Sequence, residues 1–383
     1  MNNKVVFFIG MLLSCLVQAE IKPETIGKIN TLPVPYPSDW VIVHDAAFFH
    51  MLEGKMIVLD TSAETLGEQY KGMFNNSFIG QFIQSSKRPE MYVGETFHAR
   101  GNRGERTDVL TIYDKATLTP IDEIVLPGGK LMKSMPEKQS IALIDDERLL
   151  LISNFTPASS VTVVDLVARK ILSEVQTPGC ALIYPTGARG FSSLCSNGAM
   201  LSIQLDKNGQ VAEENRTEVF FDTDKNTLFE KSAIINGIAY FPGLAGQVQP
   251  IDLSKNKPKI LKQWSLISTE ERTQGWRPGG WQLLGADDSG RLYILMNPES
   301  FNGSHKDGGP EVWVFNAKKG KREQRIKLNS WGISLALTSG KNPRLVVTTP
   351  EMNLEVYDAK TGKFIRTLSD FGQETPFVVY PAQ

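Results

Sequence analysis

Asn353-Leu354-Glu355-Val356-Tyr357-Asp358-Ala359-Lys360-Thr361-Gly362-Lys363-Phe364-Ile365-Arg366-Thr367-Leu368 carries apolar residues in alternation up to Tyr357, breaks from Asp358 to Gly362, and then starts a second alternating run. Period-two alternation around a polar, Gly-containing turn specifies a strand, a tight turn and an antiparallel partner. A single hairpin of this kind fits any β fold, so its repetition decides the matter. Strand-like runs ending in Asp or Asn occur seven times: Lys55 to Asp60, Val109 to Asp114, Val161 to Asp165, Ala199 to Asp206, Val248 to Asp252, Glu311 to Asn316 and Leu354 to Asp358. Their terminal residues are 54, 51, 41, 46, 64 and 42 apart. A period of about 40–50 residues is that of a propeller blade of four antiparallel strands.

The flanks complete the unit. An apolar strand precedes most of the runs, as at Met91 to Gly94, Leu149 to Ser153, Arg291 to Met296 and Arg344 to Thr348. Another follows, as at Ile121 to Leu126, Ile171 to Val175 and Gln324 to Leu328. The terminal Asp residues have a local reason, because their side chains bond backbone amides two residues on and so stop a strand and start a turn. We read them as structural rather than catalytic. The first pair of runs, Trp40 to His44 and Met56 to Asp60, lacks a preceding inner strand, whereas Pro376 to Tyr380 has no following partner. Pairing that last run into the first blade closes the ring and removes both open edges. The expected fold is an all-β, seven-bladed β-propeller, a single domain over residues 20–383. The longest interval, Asp252 to Asn316, holds a capped helical turn at Ser268 to Arg272, the run Trp276-Arg277-Pro278-Gly279-Gly280-Trp281, and a polar Gly-rich loop from Asn297 to Pro310.

The 383 residues carry 41 basic and 42 acidic side chains, and a net charge of −1 gives no general attraction to nucleic acid or anionic membrane. Lys4, the apolar run Val5 to Leu13 and Val17-Gln18-Ala19 read as a signal peptide, residues 1–19, cleaved after Ala19 for export to a periplasm. The apolar run is too short for a membrane span. Lipoprotein processing at Cys15 is the competing reading. Without Cys15, Cys180 and Cys195 remain, in successive strand-like runs, and in an oxidising compartment they are a disulfide candidate; two buried thiols are the alternative.

Patterns for a self-contained active site are missing. The sequence has no CxxCH, no HExxH among its four histidines, no Gly-x-Ser-x-Gly and no P-loop. Gly101-Asn102-Arg103-Gly104 precedes a strand rather than a helix, and Asp145-Asp146 and Asp287-Asp288 lie in polar turns. Two stretches remain unusual. Phe48 and Phe49, between two strands of the first blade, point to opposite sides if extended, so one can face the core and the other a surface or channel; packing of both inside is equally open. Trp276 and Trp281, flanking Arg277, form either a packed loop or an interface anchor, since Trp and Arg are enriched at binding hot spots.

The sequence resembles the heavy chain of the quinoprotein amine dehydrogenases, the methylamine and aromatic amine enzymes. The similarity lies in Ala99 to Asp108 leading into Val109 to Asp114, Cys180 to Cys195 with Asn197-Gly198, Gly275 to Trp281, and Gly303-Ser304-His305-Lys306, and it runs over essentially the whole mature chain. The resemblance implies a seven-bladed propeller with no catalytic residue of its own. It implies a partner light chain bearing tryptophan tryptophylquinone, whose carbonyl receives a primary amine and releases aldehyde, with electrons passing to a blue copper protein. It implies a complex of two heavy and two light chains, and a substrate-channel wall at Phe48 or Phe49, since Asp45-Ala46-Ala47-Phe48-Phe49 matches the family's strand-end motif. Two mature cysteines cannot form the light chain's disulfide framework, so no cofactor is expected on this chain. The second reading is a periplasmic propeller that binds or scaffolds without a quinone partner. A stand-alone propeller enzyme is the third: the Asp358 to Lys363 turn is similar to that of pyrroloquinoline-quinone dehydrogenases, but the repeated Trp that docks their blades is missing.

Overall fold

Seven antiparallel sheets follow one another along the chain and form the blades of a propeller. The computed structural model describes residues 31–48, 50–132, 135–372 and 374–383. The predicted signal peptide, with Cys15, and Phe49 lie outside the described residues. Residues Leu32–Gln383 form one compact unit. From the axis outward, blade 1 is Pro376–Pro381, Trp40–Ala46, Glu53–Asp60 and Tyr70–Ser77. Blades 2 to 7 begin at the axis with Gln81–Gln84, Ile141–Ile144, Cys180–Pro185, Ala233–Ile235, Arg277–Pro278 with Leu284–Ala286, and Ser334–Leu337. Closure is as expected: Ile42 lies opposite Tyr380 and His44 opposite Val378 in antiparallel register.

The seven Asp- and Asn-ended runs are the third strands of the seven blades. Each terminal Oδ1 accepts backbone N–H bonds of 2.8–3.0 Å from the following turn: Asp60 from Ser62, Asp114 from Thr117, Asp165 from Val167 and Ala168, Asp206 from Asn208 and Gln210, Asp252 from Ser254, Asn316 from Lys319, and Asp358 from Lys360 and Thr361. These bonds satisfy amides that a strand ending would otherwise leave unpaired. Val356, Leu354 and Leu368 from the opening hairpin are buried against Val41, Ile57 and Val379, so the core runs across the closure. Burial of such side chains contributes about 1.5–3 kcal/mol each.

Strand alternation assigns the connections to two faces. Every third-to-fourth-strand turn, and so every Asp turn, lies on one face, the turn face. Every second-to-third-strand loop and every connection between blades lies on the other, the loop face. The Phe48 loop, the hairpin tip at Gly101-Asn102, Asn297 to Pro310 and the long insertion before blade 6 therefore share the loop face. The expected helical turn in that insertion is Thr269–Thr273. Ser268 and Glu271 form a reciprocal capping box there.

Candidate functional site

Trp281 occupies a break in the innermost strand of blade 6. Arg277 and Pro278 pair with Asn297 and Met296, pairing resumes at Leu284 opposite Ile294, and Gly279 to Leu283 bulge out opposite Leu295. Gly280 has φ +134°, and a Cβ there would lie 2.7 Å from the Ile333 carbonyl, so only glycine lets the bulge lie this close to blade 7. From the bulge the indole reaches across the axis. Its Nε1 donates to Pro136 O at 2.9 Å, its backbone N–H to Ile333 O at 2.8 Å, and its ring lies 4.9 Å from the ring of Phe377. Lys231 Nζ stands 4.3 Å and Lys306 Nζ 5.5 Å from the ring centre. These neighbours belong to blade 7, blade 1, and the connections around blades 3, 5 and 6, so the buried Trp281 closes the axial pore at the loop face. Lys231 also pairs with Glu137 at 3.2 Å; burial raises the Glu137 carboxyl above its usual range, with Lys231 opposing it.

Phe48 joins this plug through a row of aromatic rings. Its ring lies 5.1 Å from Phe78, edge-on, and 5.0 Å from Phe377, which in turn meets Trp281. Phe48 is half-buried, and Met51 and Leu52 beyond it are exposed. Beneath the row, His44 is fully buried with Nε2 3.3 Å from Asn76 Nδ2, a spacing that requires an acceptor Nε2. Burial lowers its pKa to about 4, against a backbone hydrogen bond at Phe78 that favours the charged form. The neighbouring Asp45 accepts the Glu374 N–H at 3.2 Å, which ties the Phe48 loop to the segment leading into the closing strand.

Trp276 and Arg277 are placed differently. Trp276 is buried, packed 5.0 Å from Trp313 under the Arg325 guanidinium, which is 4.8 Å and 4.7 Å from the two rings. Arg325 is held by Glu311 at 2.7 Å, and Arg322 by Glu271 at 2.8 Å, so the capped turn is clamped onto blade 6. Arg277 donates to Asn302 Oδ1 at 3.1 Å at the edge of a hollow of about 410 Å³ lined also by Asp224, Lys225 and Leu244. Cys180 and Cys195 are bonded as a cross-strand disulfide at the loop-face end of blade 4, with Arg216 Nη1 3.2–3.3 Å from both sulfurs. Among the described residues no group of three or more His, Cys, Asp or Glu could hold a metal ion, and no helix is long and apolar enough to cross a membrane.

The loop face also carries apolar side chains directed at solvent: Met51, Leu52, Phe97, Phe155, Val219, Phe301 and Met352. Spacing within any single loop did not reveal them, because they come from six separate connections. Phe377 was legible only as part of a closing strand, and its contact with both Phe48 and Trp281 needs the closed ring.

Comparison with known proteins agrees with this architecture. The family model described as methylamine dehydrogenase heavy chain (MADH) matches residues 38–382. The methylamine dehydrogenase heavy chain of Methylophilus methylotrophus is 26% identical over 388 residues, covering 97% of this chain and 93% of that protein. The one from Methylorubrum extorquens is 27% identical over 345 residues, covering 87% and 80%. Among solved structures, dihydro-heme d1 dehydrogenase NirN in complex with DHE is similar with TM-score 0.53 over 92% of this chain and 75% of that chain; at 13% identity the likeness is one of fold.

Proposed function

The chain belongs to the methylamine dehydrogenase heavy chain family, and on that premise we propose that it is the heavy subunit of a periplasmic amine dehydrogenase that converts primary amines to aldehydes and ammonia. The observation that carries this reading is the family match across the whole propeller, residues 38–382. The chain holds a small quinone-bearing light chain on its loop face, in a complex of two heavy and two light chains. The bound partner's tryptophan tryptophylquinone supplies the electrophilic carbonyl and a two-electron sink, from which a blue copper protein takes the electrons. Residues 1–19 direct export and are cleaved off after Ala19.

Support for a protein partner comes from the loop face. Exposed Phe155 and Phe301 belong to blades 3 and 6, and large apolar side chains spread over one face favour a docked protein. The residues of this chain position and exclude water. Phe48, braced by Phe78 and Phe377, gives a rigid apolar wall against which an amine's side chain packs. Phe49 is the second candidate for that wall. Trp281 blocks the axis at the loop face behind it, and Arg277 lies at the rim of the adjoining hollow.

Purification from the native periplasm tests the proposal. We expect a small subunit with quinone absorbance to co-elute and the complex to reduce a dye only when amine is added. A chain that elutes alone and colourless would overturn it.

A further inference from the structure

On the turn-face side of Trp281 the inner strands surround a cavity of about 380 Å³, within the range of small-molecule sites. Its walls are largely apolar, from Phe82, Ile141, Ile183, Ile234 and Tyr380 on five different blades. Ser86, Glu147 and Gln383 line the opposite end, where the inner strands finish, so the cavity opens on the turn face. One amine enters it. Lys138, in the short turn before the inner strand of blade 3, extends into the cavity with Nζ 5.1 Å from the Tyr380 ring centre.

The charged and titratable groups around this amine are already engaged, the Lys115 amine at the mouth with Ser85 O at 2.5 Å and with Gln383, the last residue, at 2.7 Å. Glu137 is paired with Lys231 at 3.2 Å. Glu147 at the mouth accepts the Ser86 N–H at 2.9 Å and the hydroxyls of Ser85 and Ser86. Tyr184 donates its hydroxyl to Glu230 O, and the Tyr380 phenol is held protonated by burial. No carboxylate among the described residues lies within ion-pair distance of Lys138, whose charge is offered only a ring face. A ring face favours a cation weakly, whereas loss of water disfavours it strongly. Burial accordingly pushes the Lys138 amine down to about 7. Near neutral pH much of it is therefore an uncharged nucleophile facing an apolar chamber.

We propose that Lys138 is a reactive lysine that condenses reversibly with a small apolar or aromatic aldehyde entering the pore from the turn face. The Nζ lone pair adds to the carbonyl carbon, a proton moves from nitrogen to oxygen, and water leaves to give an imine. One aldehyde is consumed and one water released, with no change of oxidation state. The walls accept the aldehyde's hydrocarbon part, and Trp281 stops through-flow. The pore opens on the face away from Phe48, so the proposal is independent of the amine-oxidising reading.

The test is reductive trapping on the full chain as purified, with benzaldehyde and cyanoborohydride at pH 7, followed by intact mass and peptide mapping. We expect a single benzyl addition at Lys138, formed on the order of tenfold to a hundredfold faster than at exposed lysines, whose ordinary pKa is about 10.4. Labelling at Lys138 should rise with a midpoint near pH 7. Lys138→Arg, which keeps a cation but loses the nucleophile, should lose this fast addition. If surface lysines are trapped as fast as Lys138, or the fast addition persists in Lys138→Arg, the proposal is wrong. Should Lys138→Arg fail to fold, the mapped site and pH midpoint of the unaltered chain decide the question alone.

Discussion

His44 is a neutral imidazole built into blade 1. A Cβ on Gly54 would lie 3.0 Å from its Nε2 and 2.9 Å from Asn76 Oδ1, so the backbone packs closely against one side of a ring that is fully buried. Its folded pKa of about 4 lies below the ordinary 6.5. Below pH 6.5 the unfolded chain takes up a proton that the folded chain refuses until about pH 4. Stability is therefore complete above pH 6.5 and falls by about 1.4 kcal/mol per pH unit between the two values, roughly 3 kcal/mol in all. Urea midpoints from pH 7 to 4.5 should fall more steeply for the unaltered protein than for His44→Gln; equal slopes would assign the loss to carboxylates instead. None of this was legible from the residue itself, since a lone histidine in a strand reads the same whether it is buried or not. Phe48 was legible as unusual because two aromatics adjoin at a loop. Its bracing by Phe78 and Phe377 was not, because those rings arrive from distant parts of the chain. Trp276 shows the converse: its composition suggests an interface, whereas its ring is buried at a tilt against Trp313 beneath Arg325.

Individual strands explain why so much of the fold could be read in advance. An Asp that closes a strand by accepting the next amides acts within three or four residues, so its signal survives in a linear sequence. Less legible are the elements shaped by neighbours. The innermost strand of blade 6 is split around Trp281, and the outer edge of blade 5 is reduced to Lys259–Ile260 and Trp264–Ser265, neither showing a sustained alternation. The disulfide is intermediate: Cys180 and Cys195 could be placed on successive strands, but their direct opposition depends on the register of that pair. With a sequence separation of 15, its removal should cost on the order of 3 kcal/mol. The double substitution Cys180→Ser, Cys195→Ser is expected to lower the urea midpoint correspondingly, with the same change on reducing the unaltered protein. A midpoint unchanged in both would show that the strand pairing holds blade 4 without the bond.

The whole molecule has two faces, one carrying the seven Asp- or Asn-capped turns around the mouth of the axial cavity, and one whose connections bear Met51, Phe97, Phe155, Phe301 and other exposed apolar side chains. If the light chain docks on the loop face, Phe155→Ser and Phe301→Ser should each weaken its retention about tenfold, the size of a modest interface contact. Melting of the heavy chain should hardly change, because these side chains are 58% and 61% exposed. Retention is read by co-elution on dilution, and undiminished retention in the double variant would move the interface elsewhere. The closure of the ring has a consequence for the order of assembly. Trp40–Ala46 leaves the ribosome early but pairs with Pro376–Pro381, after six further blades have been made. Until then its inward edge is a template without a partner, open to any other strand. A growing chain of this kind depends on being held apart from its neighbours until its final strand arrives.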